Sequence, residues 1–170
     1  SGKKLFLKNG YERTNLRDLC KAAGVTTGAF YRHFEDKASI FAALVEEAAN
    51  GLLTKFDRAE EECFDFIDAG NTEEVWRVSS ETITAFIRYI YAHFEEFKLI
   101  LCCSGGTKYS DYIDWLVERE LRSTYRMFDL LDQKSVPYHR IAGQELHMIL
   151  HAYYACLFET VLHDFSREEA

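Results

Sequence analysis

One proline in 170 residues, Pro137, combined with apolar side chains that recur at spacings of three and four, leaves this chain little to build but α-helices. No stretch alternates apolar and polar residues long enough to make strands the main element. Turn signals cut the chain into segments. Asn50 and Gly51 offer a bend within residues 36–68, which read either as one long helix or as two. Gly70 and Asn71 end that stretch. Further helices are expected over residues 72–93, where Val78, Ile83, Phe86, Ile87, Ile90 and Phe94 make an apolar stripe, and over 96–103, 108–132 and 140–165.

The most specific signals lie in residues 10–37, GYERTNLRDLCKAAGVTTGAFYRHFEDK. Asn15, with Asp18 three residues on, precedes the apolar positions Leu16, Leu19, Cys20 and Ala23, which places a capped helix over 16–23. Gly24 supplies a left-handed stop, and Thr26 caps a second helix carrying residues 27–33. Phe30 and Phe34 fall on one face of it and are expected to pack inward with Ala23 and Val25. Thr27, Gly28, Tyr31 and Arg32 are left on the other face, where small residues allow close approach and hydroxyl or guanidinium groups reach phosphates or base edges. Asp36 caps a third helix with Lys37 in its first turn, a cation opposed to the helix dipole that suggests a phosphate partner. Two short helices joined by a turn of about three or four residues make a helix-turn-helix.

Charge follows the same division. Residues 1–37 hold eight Lys and Arg against four Asp and Glu, a net of +4 in a chain whose total is −8, so the remainder carries −12. A positive cap on an acidic body would steer the head toward nucleic acid, and binding would weaken steeply with salt.

The run over residues 12–44, ERTNLRDLCKAAGVTTGAFYRHFEDKASIFAAL, resembles the DNA-binding domain of the TetR/AcrR family of bacterial transcriptional regulators, most closely in the small-small-aromatic-Tyr-x-His-Phe-x-x-Lys order of residues 28–37. The resemblance implies an all-α fold, with a three-helix helix-turn-helix head over residues 1–50 and a larger helical effector-binding and dimerisation domain over 51–170. It implies that the second helix of the motif is a recognition helix in the major groove, that Tyr31, His33 and Lys37 hold phosphates, and that Thr14 or Asn15 touches the DNA backbone. The expected DNA contacts are therefore Thr14, Asn15, Thr26, Thr27, Gly28, Tyr31, Arg32, His33 and Lys37. Only residues 1–9 precede the Gly-Tyr pair, so a truncated first helix is expected, and only residues 166–170 follow the last long helix, so a final helix is expected to be missing.

Residues 148–162 are apolar on nearly every side yet contain His151 and Glu159 and are too short to span a membrane. Such a helix needs cover from two sides, either wholly within the chain or from a second copy about a two-fold axis. The resemblance favours a homodimer built on the last helices, with Tyr153, Tyr154, Leu157, Phe158 and Val161 at the interface. Paired heads would then read an inverted repeat in double-stranded DNA. The family resemblance further implies a small-molecule pocket among the middle helices, for which Phe86, Tyr89, Ile90, Cys103, Trp115 and His151 combine bulk with polar tips.

The odd cysteine count of five, all in apolar helical contexts, reads as reduced core thiols of a cytoplasmic bacterial protein, with redox sensing by the vicinal Cys102 and Cys103 as the lesser alternative. His147 and His151 share a helical face at i and i+4, but no third ligand stands at a matching spacing, so histidines of a core or interface are expected and no metal. No nucleophile elbow, phosphate-cradling glycine loop or H-E-x-x-H occurs, which argues against an enzyme and gives no cofactor motif. The expected function is a ligand-responsive repressor released from its operator by a small molecule; the alternative is a helical DNA-architectural or partner-binding protein without a sensing role.

Overall fold

The computed structural model describes residues 1–68 and 70–168, and over them the chain forms eight helices: α1 (Gly2–Arg13), α2 (Leu16–Ala23), α3 (Thr27–Phe30), α4 (Lys37–Asp68), α5 (Thr72–Ala92), α6 (Phe94–Cys103), α7 (Tyr112–Gln133) and α8 (Gly143–Leu162). The fold is all-α, a small helix-turn-helix at the N-terminus followed by a larger helical body. Where the sequence left one helix or two over residues 36–68, α4 runs unbroken from the head into the body.

Local chemistry sets the head. Gly10, at φ 76° and ψ 167°, takes a conformation that residues with a Cβ avoid and so separates the first turns of α1 from residues 11–13. The Asn15 side-chain oxygen accepts from the Asp18 N–H at 2.9 Å, and Gly24 closes α2 in the left-handed region at φ 68°. Thr26 Oγ1 accepts from the Ala29 N–H at 3.1 Å and starts α3. Asp36 Oδ1 takes the Ser39 N–H at 2.7 Å while Ser39 Oγ takes the Asp36 N–H at 3.2 Å, a reciprocal cap for α4.

Two local expectations are corrected. The second helix of the motif is shorter than residues 27–33: after Phe30 the chain tightens into turns, with the Arg32 N–H on the Ala29 carbonyl and the His33 N–H on the Phe30 carbonyl. Phe30 is buried against Phe34, but Ala23 and Val25 stay exposed.

In the body α6 is the central element. It packs on α1, α4, α5 and α8, and Phe97, Leu99 and Ile100 are wholly buried. Phe97 sits against Tyr89, Tyr112 and Phe158, with ring centroids 6.0–6.3 Å apart. Burying one such ring contributes about 2–3 kcal/mol. One apolar cluster runs from Phe6 of α1 through Phe41, Val45 and Leu52 of α4 to Tyr154, Phe158 and Val161 of α8, so head and body share a core. An ion pair adds to the seam: Lys3 Nζ lies 2.5 Å from Glu96 and 3.3 Å from Glu95. Burial pushes the Glu96 carboxyl up, but the hydrogen bond from Lys3, a backbone hydrogen bond and the neighbouring charges of Lys3 and His93 together bring it below its ordinary value.

The cysteines are not uniformly core residues. Cys20 and Cys103 are buried and Cys63 half-buried, whereas Cys102 and Cys156 are exposed. Burial pushes the Cys102 and Cys103 thiols up, which works against a reactive thiolate at the vicinal pair.

Candidate nucleic-acid interface and effector cavity

The head presents one open face. Asn15, Thr26, Thr27, Gly28, Tyr31, Arg32 and His33 are all exposed, Tyr31 at 58 %, with its ring edge-on to the buried Phe30. Arg17 and Lys21 of α2 are also exposed. Sequence reasoning passed over these two cations, although their i, i+4 spacing on the side of α2 away from Leu19 and Cys20 could have shown them. A face of hydroxyls, a glycine, a phenol and cations suits a phosphate backbone and the groove beside it.

Two of the expected contacts are withdrawn from that face. Thr14 is buried, and its hydroxyl donates to the Gly10 carbonyl at 2.7 Å, locking the kink in α1. Lys37 lies over the Tyr11 ring at 4.1 Å and donates to the Tyr11 carbonyl at 2.8 Å. Its charge answers the carbonyls at the end of α1, so here the first-turn cation that suggested a phosphate has a partner inside the head.

The body contains a cavity of about 910 Å³ between α4, α5, α7, α8 and the loop of residues 134–142. Each helix turns a stripe into it: Phe56, Glu60 and Phe64 from α4; Ser79, Ile83 and Phe86 from α5; Glu120, Thr124 and Phe128 from α7; Leu150, Tyr153 and Tyr154 from α8. No residue of α6 lines it. Both ends of α6 meet α1 beside the head, Glu95 and Glu96 at Lys3 and Cys103 at the Leu7 carbonyl, so α6 fills the bundle there and leaves the space between the other four helices open. Its volume and its apolar lining with few polar groups match small-molecule sites.

Glu120 is its distinctive polar group. Burial pushes its carboxyl up, the hydrogen bond donated by the Tyr154 hydroxyl at 2.9 Å works the other way, and the nearby charge of Glu60 raises it further. Glu60 is paired with Arg126 at 3.3 Å.

Of the residues expected to line a pocket, the structure places Phe86 in this cavity and the other five elsewhere. Tyr89 donates to the Glu47 carbonyl at 3.2 Å beside Gly51, Ile90 and Cys103 are core, and Trp115 is 40 % exposed. His151 lines a second cavity of about 220 Å³ with Tyr109, Asp111 and Asp114. Those five residues stand outside the 910 Å³ cavity. The missed residues carried a signal: Glu60 lies between Phe56 and Phe64, and Glu120 between Leu116 and Phe128, each on the i, i+4 apolar stripe of its helix.

The expected dimer residues are also corrected. Tyr154, Leu157, Phe158 and Val161 are buried inside this chain, and Tyr153 lines the cavity. A helix apolar on all sides has no preferred face to read from sequence, and α6 and α7 claim this one. The outward side of α8 shows Met148, at 67 % exposure, with Ala152 and Cys156. His147 and His151 have ring centroids 6.4 Å apart, and among the described residues no group of three or more His, Cys, Asp and Glu side chains is arranged to hold a metal ion. Nor, among the described residues, is any helix long and apolar enough to cross a membrane.

Comparison with known proteins agrees with the head. Residues 1–44 match the family described as bacterial regulatory proteins, tetR family. The HTH-type transcriptional regulator AcrR of Shigella flexneri is 46 % identical over 43 residues, 25 % of this chain and 20 % of that protein. TtgR of Pseudomonas putida is 44 % identical over 46 residues, 27 % of this chain and 22 % of its own. An uncharacterised HTH-type transcriptional regulator of Haemophilus influenzae is 29 % identical over 103 residues, 61 % of this chain and 46 % of its own length. The chain thus spans between a fifth and a little under half of these relatives, and no solved structure matches it. Over residues 1–44, the chain is similar to the DNA-binding part of the TetR family of bacterial transcriptional regulators.

Proposed function

We propose that this protein is a ligand-responsive repressor that binds a pseudo-palindromic operator as a homodimer and is released from it by a small molecule. The observation that carries the reading is α4. Its N-terminus is capped in the head at Asp36, and its C-terminal half, from Phe56 to Ile67, forms one wall of the 910 Å³ cavity. A molecule that favours one spacing of the cavity walls would shift α4 and with it the head, altering DNA affinity by its preference between the two states, commonly about 1–3 kcal/mol. The domain division at residues 50 and 51 falls within this continuous helix, so the proposed reader and sensor are mechanically joined.

Repression is supported by relatives with that word in their names, among them the HTH-type transcriptional repressors BepR of Brucella suis and AcnR of Corynebacterium glutamicum, 40 % identical over 48 and 47 residues. For the dimer, the support is the exposed apolar side of α8 around Met148, which a second copy would cover. Asn15, Thr26, Thr27, Gly28, Tyr31, Arg32 and His33 are the proposed DNA contacts. Cytoplasmic action follows from the proposed DNA target.

Selection of bound duplexes from a random pool, repeated at several salt concentrations, tests the reading. The expected result is an inverted repeat whose affinity falls steeply with salt. Recovery of no motif, with uniform binding to any duplex, would favour an architectural role instead.

A further inference from the structure

The cavity is charged in one sense only. Among the described residues, Glu60 and Glu120 line it and neither Lys nor Arg does; His139 lines it from the loop. The two carboxylates differ in what answers them. Glu60 is met at the rim by Arg126, whose guanidinium also lies over the Phe64 ring at 4.7 Å. Glu120 stands deeper, and among the described residues the one hydrogen bond that reaches it comes from the neutral Tyr154 hydroxyl. Its neighbour Arg119 turns away to Asp57 and the Phe56 ring. Even half-buried, as Glu120 is, a carboxylate with no cation beside it is costly, and a ligand that supplies the cation offsets that cost.

Resting on the reading of this cavity as an effector site, we infer that its ligand is an aromatic organic cation whose ammonium group pairs with Glu120. Phe64, Phe128 and Tyr153 line the cavity and give it aromatic surface that suits a flat ligand body. A carboxylate ligand would meet two like charges. A neutral apolar ligand would seal Glu120 further from water and return nothing to it. At about 910 Å³ the space admits a body of several rings.

The test uses three compounds that share a naphthylbutyl body and end in a primary amine, an alcohol or a carboxylate, titrated calorimetrically into the full chain and into Glu120→Gln. In the unaltered protein the amine is expected to bind about tenfold or more tighter than the alcohol, with the carboxylate weakest. Glu120→Gln should bring the amine down to the alcohol's affinity and leave the alcohol unchanged. Equal binding of amine and alcohol, or tightest binding of the carboxylate, overturns the cation assignment while leaving the cavity as a ligand site. Absence of binding by all three overturns the effector-site reading and this inference with it. The comparison of the three termini on the unaltered protein decides the matter even if Glu120→Gln does not fold.

Discussion

The same helices make a tight core at one level of the body and an open cavity at another. Near the head, α4, α7 and α8 close around α6, and Val45, Leu52, Phe97, Leu116 and Phe158 are excluded from solvent. Farther from the head no residue of α6 stands between them, and α4, α7 and α8, now with α5, surround about 910 Å³. The difference lies in the filler and not in the walls, since both levels are lined by aliphatic and aromatic side chains. A ten-residue helix thus sets where the bundle is rigid and where it has room to adapt.

The comparison breaks most visibly at Phe97. Phe97→Ala removes a wholly buried ring from the centre of α6 and should cost about 3–5 kcal/mol, whereas Phe64→Ala, at the cavity wall, should cost about 1 kcal/mol or less because its ring already borders empty space. Denaturant unfolding of the two variants measures the contrast, and equal losses would show that the cavity level is as tightly packed as the core.

A smaller effect is expected where α4 meets α5. A Cβ at Gly51 would collide with the Tyr89 hydroxyl, so Gly51→Ala should destabilise by about 1–3 kcal/mol. Adding Tyr89→Phe should recover part of that loss in a double-mutant cycle, because the colliding atom is gone.

In the head, Lys37→Ala should lower stability by about 1–2 kcal/mol, since its ammonium holds the end of α1 through the Tyr11 carbonyl, and DNA affinity should fall with it. Tyr31→Phe should leave thermal stability within about 0.5 kcal/mol and weaken DNA binding alone. Comparing melting curves with binding isotherms separates the two residues; a Lys37→Ala head as stable as the parent would return that lysine to the phosphate role.

The smallest effect should be seen in pH. Because the Glu120 carboxyl is raised in the folded state, its contribution to stability is full when it is protonated in both states and is lost as pH rises through the folded value. Glu120→Gln keeps an acceptor for Tyr154 without the charge. It should therefore melt a few °C above the parent near pH 8 and converge with it below about pH 4. A difference that does not change with pH would mean that folding does not raise the Glu120 carboxyl, and one that grows toward low pH would mean that a cation holds it.

Much of this protein was fixed locally. Asn15, Gly24, Thr26 and Asp36 act on their own backbones within a few residues, so the caps, the turn and the span of α2 could be read directly from the chain. The order of residues 28–37 likewise showed which side chains stay exposed, apart from the shorter α3 and the inward-tied Lys37. The body was legible as helices and as stripes, because a period of 3.6 says which residues share a face. It does not say what stands opposite that face, or at what level along the axis. Leu157 and Phe158 face the chain's own core without touching the cavity, and Phe86 borders the cavity as well as the core while Ile90, one turn on, meets only the core. Those assignments depend on where α6 stands, a relation between residues far apart in sequence. Periodicity decided the faces; only the packed tertiary structure decided which face meets core, cavity or solvent.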